Sequence, residues 1–413
     1  MSRYLTAVIE QALWSLLNLG VNLLLIRITA PDEYGTFAFW ANVAFMLASL
    51  QNAVTVTHLL VLPPGDGLSP QRLPVERLMH AVTVVFLALI ALAVLGVAAG
   101  LKATGQELGE PAAALFVPAF LLQQYFRTLA FARGSPTTAL VQTGVLLGLS
   151  VAFVGVGEVL LRPLTANHIL LLLGSAYALV GLVGGRLATR GQDVRVTPGE
   201  LKGFKAYLSQ SGWLFLGVTT TEVLTRFYAF LVAGWFGAAA LASLSATQLL
   251  LRPVPLLGAA WSSVARNDLV RRKDAGDWGG FQRMVIVAMA GGLAVAAVWS
   301  GLMHFAWPLV AAYLYKGKYA ADGWMVALWG LSAALSLAQT VISVPLQVLR
   351  AFKGLAIANT IASAAAAAAM IGAMRLWGYG GAIGGTAAGQ VVEVALMAGL
   401  LWVLIGRSRN PAR

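Results

Sequence analysis

The sequence contains no cysteine and few charged residues, and each shortage excludes large classes of protein. A cysteine count of zero excludes disulfides, thiolate metal sites, iron–sulfur clusters and cysteine nucleophiles. Charged residues make up 11% of the 413 positions, whereas soluble domains contain about 25%. Hydrophobic residues make up 59%, so a water-soluble globular fold is excluded and a polytopic membrane protein is the class that fits.

The residues that catalysis and cofactor binding require are equally scarce. The four histidines show no spacing typical of a metal site, and the phosphate-binding pattern G-x-x-x-x-G-K-[ST] is missing. No nucleophile lies beside a base in a recognisable pattern, and no pair of carboxylates suggests acid–base chemistry. We therefore predict a protein that is not an enzyme, binds no metal and needs no cofactor.

Long apolar runs take up most of the chain instead. A helix needs about 20 apolar residues to cross a bilayer, and twelve runs of about this length are predicted. The connections between them are short, so the sequence predicts an all-α polytopic membrane protein of about twelve transmembrane helices without a soluble domain. The runs cover residues 7–29, 36–61, 79–101, 111–132, 138–161, 167–187, 207–233, 238–265, 282–306, 324–348, 354–376 and 381–405.

The distribution of basic residues predicts the orientation of these helices. Lys and Arg number 28 and Asp and Glu number 16, which gives a net charge of +12. With the N-terminus in the cytoplasm, nineteen basic residues fall in inner segments and six in outer ones. Cytoplasmic loops of membrane proteins carry an excess of this kind, so both termini are predicted to be cytoplasmic. Topology therefore explains the positive charge, and nucleic acid is not expected as a partner.

The predicted spans divide into two sets of six around the longest polar stretch, at about residues 189–205. This division predicts an N-terminal six-helix lobe at 1–190, a cytoplasmic linker at 191–206 and a C-terminal six-helix lobe at 207–413. A shift of 202 residues also aligns Tyr34-Gly35 with Phe236-Gly237. An even number of helices in each half predicts a parallel repeat, with a substrate site between the halves near mid-membrane.

Three segments resemble those of a known transporter family. They are LLLIRITAPDEYGTFAFWANVAFM at 23–46, YLYKGKYAADGWMVAL at 313–328 and PLQVLRAFKGLAIANT at 345–360. In order and spacing they resemble polysaccharide flippases of the Wzx type, within the multidrug/oligosaccharidyl-lipid/polysaccharide (MOP) exporter superfamily. The resemblance extends over the whole chain in length and helix count. One departure lies at Lys316, where the family element has glycine and this chain has Gly317 one position later.

The resemblance implies both a fold and a function. The implied fold has two six-helix lobes in a V around a central cavity, as in MATE transporters. The implied function is to move a polyprenyl-pyrophosphate-linked oligosaccharide from the cytoplasmic to the outer leaflet of the bacterial inner membrane by alternating access. The implied pathway is the synthesis of O-antigen, capsule or exopolysaccharide, with a polysaccharide polymerase and export machinery as further partners beside the lipid bilayer.

Charged residues within the spans are candidate substrate ligands, because a charge at the bilayer centre costs ~2.5–3.5 kcal/mol to insert. Arg252 and Arg226 are predicted to bind the pyrophosphate, since guanidinium offers charge and paired donors, and Arg127 is a third candidate. The alternatives are a structural pair of Glu222 with Arg226, four residues apart, and an Arg127 that reaches the lipid headgroups. For Arg252, the alternative is a structural arginine that binds the carbonyls of a broken helix.

Two prolines interrupt the eighth span, because Pro253 and Pro255 follow Arg252 almost directly. Proline lacks the N–H donor of a helix and frees a carbonyl four residues upstream. In a membrane such carbonyls need partners or a water-lined cavity. The prolines therefore predict a kink, which is either a hinge or a bend that shapes the cavity.

Uncharged polar residues form stripes on three of the predicted helices. Amides suit sugar hydroxyls because each amide offers donors and acceptors. The alternative for any one residue is a hydrogen bond between helices. The predicted polar cavity consists of Gln11, Asn18, Asn22, Asn42, Asn52, Gln248 and Gln339, and the candidates for a coupling proton or sodium site are Glu222 and Glu393.

Other functions stay open at this point. A multidrug or cation exporter of the same fold favours acidic cavity residues, whereas the mid-membrane excess here is basic. A membrane polysaccharide polymerase or ligase needs a catalytic site, commonly on a large outer loop, and the outer connections here are short. A peptidoglycan-precursor flippase usually carries two further helices, for which the twelve spans leave no room.

Overall fold

Helices provide the regular structure of the chain. The computed structural model describes residues 3–409, with the side chains of residues 5–406 apart from those at 213 and 263. Residues 3–409 contain no β-strand. The α-helices of this range are α1 (Arg3–Ile28), α2 (Pro31–Val54), α3 (Val56–Leu60), α4 (Leu73–Ala103), α5 (Ala113–Ala132), α6 (Pro136–Leu160), α7 (Ala166–Ala188), α8 (Pro198–Lys202), α9 (Leu208–Phe236), α10 (Ala238–Leu249), α11 (Pro253–Asp274), α12 (Trp278–Leu309), α13 (Gly323–Val348), α14 (Phe352–Trp377) and α15 (Gly381–Arg409).

The long helices match the predicted spans and confirm an all-α polytopic membrane fold. In the described part of the chain, nine segments are long and apolar enough to cross a bilayer, and the bent pair of α10 and α11 makes a tenth. One of the nine, Phe352–Gly406, contains both α14 and α15, and the 20-residue α5 adds a further long helix. Each predicted run thus corresponds to a long helix or to the bent pair.

Several helix ends follow from local sequence. Proline occupies the first position of α2, α6 and α11, where its fixed φ suits a helix and its missing N–H leaves no bond unmade. Between α9 and α10 lies Gly237, with a φ of 84°. Glycine adopts this angle without the steric cost that a Cβ brings, so the chain turns there between two helices.

The described chain forms two compact units, and each is considered by itself. The main segment of the first unit ends at Thr219, and this unit also includes Gly237–Ala242. The second unit contains Thr220–Phe236 and the chain from Ser243 onward. The helix α9 therefore contributes its first part to one unit and its second part to the other.

In the first unit, α5 packs against α7, α4 and α2. Its apolar residues from Phe116 to Leu129 are largely buried, and Tyr125 and Leu129 belong to a core cluster with Met79 of α4. A helix surrounded by other helices does not have to be apolar on all sides. This position explains how α5 accommodates the buried polar residues Gln123 and Arg127.

In the second unit, α14 and α15 pack closely against each other. Gly385 lies against the backbone of Met370, and Gly389 lies against Ala366. A Cβ at either glycine would overlap with α14, so the small residues are required for this approach. The G-x-x-x-G spacing of α15 places these glycines on the face that meets α14.

The eighth span is broken, which confirms the predicted kink. The helices α10 and α11 are inclined by 53° to each other, and α11 begins at Pro253. The carbonyl of Leu250, which lies in the break, accepts a hydrogen bond of 2.9 Å from the Trp299 indole on α12. The exposed Arg252 lies in the same break. The prolines thus replace a continuous helix by a bend that carries a guanidinium.

Candidate substrate and coupling sites

A buried ion pair lies in the first unit. Arg127 of α5 donates from Nε to Glu10 Oε1 at 2.6 Å and from Nη2 to Glu10 Oε2 at 2.8 Å. Thr143 of α6 donates a third bond to Glu10 Oε1 at 2.6 Å, and the guanidinium lies 4.6 Å from the ring centroid of Trp14. A forked, charge-assisted pair of this kind is strong and directional. It links α1, α5 and α6, and it leaves no net charge.

Three asparagines of α1 and α2 use their amide N–H groups within their own helices. Asn18, Asn22 and Asn42 each donate to the carbonyl four residues earlier, at 2.7–2.9 Å. The Tyr34 hydroxyl donates to Asn22 Oδ1 at 2.9 Å. Asn18 and Asn22, with the buried Ser150, line a cavity of about 30 Å³, which is room for roughly one water molecule.

Two other predicted cavity residues lie in the first unit. Gln11 Oε1 accepts a hydrogen bond from Arg127 Nη2 at 3.3 Å, so Gln11 is a partner of the buried ion pair. Asn52 is half-buried near the end of α2. The polar residues of α1 therefore lie at two separate sites. Gln11 contacts the ion pair, whereas Asn18 and Asn22 border the small cavity.

In the second unit, Glu222 and Arg226 form an ion pair along α9. Arg226 Nε and Glu222 Oε2 are 2.8 Å apart, which confirms the pairing that their spacing predicts. The side chain of Arg226 is 31% exposed and that of Glu222 is 11% exposed. The pair is thus open to its surroundings, unlike that of Arg127.

A second arginine and two uncharged groups complete this region. The Tyr228 hydroxyl donates to Gln248 Oε1 at 2.9 Å, across from α9 to α10. Tyr228 lies within electrostatic range of both Arg226 and Arg252. We call Glu222, Arg226, Tyr228, Gln248 and Arg252 the arginine cluster. Two arginines and one glutamate leave the cluster with one positive charge, which suits a phosphate-bearing ligand.

Glu393 lies in a separate polar group between α13 and α15. Its carboxylate is fully buried and accepts one hydrogen bond from Gln339 Nε2 at 2.8 Å. Among the described residues, its Oε2 has no hydrogen-bond partner. Nearby on the same two helices, Ser332 donates to Gln390 Oε1 at 2.8 Å. A buried carboxylate with a single neutral partner has lost hydration without gaining a counter-charge.

The sequence indicates which spans carry the charged residues, but it does not indicate several of the residues that contact them. Tyr228 and Trp14 contribute polar or π contacts to the two arginine sites, yet both read as apolar positions in a hydrophobic span. For Tyr228, its position two residues after Arg226 is the feature of the sequence that could have indicated a role at the arginine site. Glu10 lies in the first half of α1, and no local spacing connects it with Arg127.

Solved structures of similar fold exist. The lipid II flippase MurJ, in an inward closed conformation, matches with a TM-score of 0.74 and 14% identity over 98% of this chain and 89% of that chain. An inward-facing multidrug resistance MATE family transporter of the MOP superfamily matches with a TM-score of 0.73 and 10% identity over 98% and 100%. A MOP superfamily transporter from Pyrococcus furiosus Vc1 matches with a TM-score of 0.63 and 12% identity over 98% and 95%.

These likenesses define the class by its fold. The chain has the all-α, multi-pass membrane fold that the MOP superfamily transporters share, from end to end. No family model matches the chain, and no curated protein matches it. At identities of 10–14% the likeness is one of fold, so the substrate has to be argued from the residues of this chain.

Proposed function

We propose that this protein is a flippase that moves a polyprenyl-pyrophosphate-linked oligosaccharide across the bacterial inner membrane by alternating access, for polysaccharide biosynthesis. The observation that carries the proposal is the net positive arginine cluster. A diphosphate in surroundings of low dielectric constant needs positive charge, and guanidinium groups supply charge and paired donors together. The fold shared with the lipid II flippase MurJ supports a lipid-linked substrate.

Arg252 and Arg226 are assigned to the pyrophosphate. Arg252 lies exposed in the break between α10 and α11, and Arg226 stays partly exposed while it pairs with Glu222. Arg127 is buried and its fork is occupied by Glu10, so we assign it to the scaffold of the first unit. The amide of Gln248, which accepts a hydrogen bond from Tyr228, is assigned to the sugar hydroxyls.

The coupling proton or sodium ion is assigned to Glu393. Its buried Oε2 lacks a partner among the described residues, and the one bond to its Oε1 comes from the neutral Gln339. A bound proton or sodium ion removes the cost of a buried, uncompensated charge. Glu222, the other candidate, is already compensated by Arg226. Glu393→Gln is therefore expected to abolish the dependence of transport on an ion gradient.

Flipping by purified protein in proteoliposomes tests the proposal. A fluorescent polyprenyl-pyrophosphate oligosaccharide is placed in both leaflets, and a membrane-impermeant quencher reports how fast the inner-leaflet label reaches the outside. We expect wild-type protein to raise this rate about tenfold or more over protein-free vesicles, which corresponds to about 1.4 kcal/mol. Arg162→Ala, which removes an arginine from an exposed ion pair with Glu158, is the matched control and should flip at the wild-type rate.

A multidrug or cation exporter is the second candidate, because a MATE transporter shares the fold. The same vesicles distinguish the two when a fluorescent lipophilic cation replaces the lipid. The positive arginine cluster predicts no transport of that cation. Cation transport without lipid flipping would replace the proposed function by the exporter.

A further inference from the structure

The turn between α12 and α13 carries two lysines on an unusual backbone. A π-helical turn over Val310–Leu314 extends α12, and the chain then turns back into α13. Lys316 has a φ of 54°, Gly317 of 81° and Tyr319 of 60°. Side chains with a Cβ adopt positive φ at a steric cost, and such strain concentrates where the surroundings hold a site in place. The turn is therefore a candidate site.

Lys316 is the informative residue of this turn. Its φ of 54° is an angle that glycine adopts without steric cost and that a residue with a Cβ adopts only at a cost. The chain instead places a lysine there and a glycine one residue later. A lysine at a backbone angle that favours glycine points to a role for its ammonium group.

The turn is rigid because its backbone is held from three directions. The Gly317 N–H donates to the Ala311 carbonyl at 2.8 Å. The buried Tyr315 hydroxyl donates to a backbone carbonyl of α10 at 3.0 Å, and the Trp307 indole donates to the Tyr319 carbonyl at 3.2 Å. Since the backbone is fixed in advance, only the two lysine side chains have to be ordered when a ligand binds.

The charge at this turn is positive. Lys316 is exposed and Lys318 is half-buried. Burial, and then the nearby charge of Lys316, lower the pKa of Lys318, so the two ammonium groups act on each other. The acidic residue that follows in the sequence, Asp322, is buried and accepts a hydrogen bond from the Tyr379 hydroxyl at 3.3 Å. An anion that binds both lysines relieves their mutual repulsion.

Aromatic side chains indicate the level of the turn in the membrane. Tyr313, Trp324 and Trp377 are large aromatic residues near this end of the second unit, with 75%, 48% and 71% of their surface exposed. Tyrosine and tryptophan concentrate where lipid headgroups meet water. The charge distribution of the sequence predicts that this is the outer side, where few other basic residues are found.

We propose that Lys316 and Lys318 bind the diphosphate of the lipid-linked substrate in the outer leaflet and receive the headgroup as it leaves the protein. This assignment rests on the proposed function and on the predicted orientation. Two ammonium groups on one rigid turn match the paired charges of a diphosphate better than the single phosphate of a bulk phospholipid. Lysine acts here as a point charge, which suits a group that must also be released.

Protection of a single cysteine tests this site. The chain has no native cysteine, so Ala320→Cys places one thiol at an exposed position beside the turn. In phosphatidylcholine proteoliposomes, we measure its reaction with a membrane-impermeant maleimide with and without a polyprenyl diphosphate in the outer leaflet. We expect the diphosphate to slow labelling about fivefold, equivalent to about 1 kcal/mol. Adding Lys316→Gly or Lys318→Gln to Ala320→Cys should remove most of this protection.

Two control variants separate the site from general effects of charge and backbone. Arg350→Gly also replaces a basic residue at positive φ, 58°, at the other end of α13, and Lys102→Gln removes another predicted outer charge. Both should keep full protection. Lys316→Gly removes the steric strain of a Cβ at positive φ, so we do not expect it to unfold the turn. An unchanged melting temperature checks that a loss of protection does not come from unfolding. Protection that survives both lysine substitutions overturns the proposal.

Other lipids and the flipping assay separate the remaining outcomes. Equal protection by a polyprenyl monophosphate or by phosphatidylglycerol overturns the assignment to a diphosphate. Flipping by the wild-type protein without protection overturns this site alone and leaves the proposed function standing. Protection without flipping keeps the site and overturns the proposed function, whereas loss of both overturns the two together.

Discussion

Arginine lies within the membrane-spanning helices in two different ways in the two units. In the first unit, Arg127 is buried and forks onto both carboxylate oxygens of Glu10. In the second unit, Arg226 pairs with Glu222 and its side chain is 31% exposed, and Arg252 lies exposed in a helix break. One arginine site is therefore closed and neutral, and the other is open and positive.

The difference shows how burial decides what a charged side chain can do. A buried ion pair has lost the hydration of both groups, so each partner stabilises the structure only while the other is present. An exposed guanidinium keeps its water, which a phosphate group can replace with stronger, charge-assisted bonds. We therefore expect the same residue type to stabilise the structure in one unit and to contact a ligand in the other.

The largest expected effect on stability is that of Arg127→Ala. It leaves the buried Glu10 without its counter-charge, which costs about 3–5 kcal/mol in comparable buried pairs. We expect the amount of protein in the membrane to fall sharply. Size-exclusion chromatography of a fluorescent fusion after heating in detergent measures the loss as a lower apparent melting temperature.

The control for this prediction is the double substitution Glu10→Leu with Arg127→Met. Replacement of a whole buried ion pair by apolar residues of similar volume is often neutral or stabilising, so the melting temperature should recover. Flipping should recover with it if the pair is scaffold. A protein with Arg127→Ala that is stable but inactive would instead place Arg127 in the substrate path.

Arg252→Ala is expected to show the opposite pattern, with normal stability and little transport. Loss of the guanidinium should lower the flipping rate about a hundredfold, which is about 2.7 kcal/mol of lost transition-state stabilisation. Arg252→Lys should keep part of the activity, because lysine keeps the charge and loses the paired donors. The proteoliposome assay measures the rate, and the melting temperature should stay at the wild-type value.

A structural role for Arg252 predicts a different result. If Arg252 served to compensate Glu222, then Arg252→Ala would lower the protein yield as well as the transport. Adding Glu222→Gln would then restore both. Full recovery in that double variant would remove Arg252 from the substrate site. Arg252 would then have a structural role, as Arg127 has in the first unit.

The sequence predicted one arginine partner and not the other for a physical reason. Glu222 and Arg226 are four residues apart on one helix, so their contact is local and can be predicted from spacing. Glu10 and Arg127 are separated by 117 positions, and only the packing of α1 against its neighbours brings them together. The spacing of residues along a chain carries no information about contacts of that kind.

The fold itself followed from the sequence more completely than the sites did. Apolar runs of the length of a bilayer predict helices whatever their neighbours are, and Pro253 predicts the break in the eighth span. The partner of the carbonyl in the break, the Trp299 indole, comes from another helix and has no local signal. Tyr228 also lacks a local signal, because its position in a hydrophobic span does not indicate that its hydroxyl donates to Gln248.

The kink is expected to have an intermediate effect. Replacing both Pro253 and Pro255 with alanine restores the missing N–H donors and favours a straight helix, which moves Arg252 away from its position in the bend. Flipping should fall about tenfold, or about 1.4 kcal/mol, while the protein still accumulates in the membrane. An unchanged flipping rate would mean that the bend is incidental to transport.

The smallest effects are expected from a matched pair of tyrosine substitutions. Tyr228→Phe and Tyr34→Phe each remove one hydroxyl that donates to an amide oxygen at 2.9 Å, the first to Gln248 beside the arginines and the second to Asn22 in the first unit. Each lost bond should lower stability by about 1 kcal/mol, so the two melting temperatures should fall by similar amounts. Only Tyr228→Phe should also slow flipping, by about fivefold, because it releases an amide that is assigned to the substrate. Equal flipping rates in the two variants would place Tyr228 in the scaffold and restrict the open site to its two arginines.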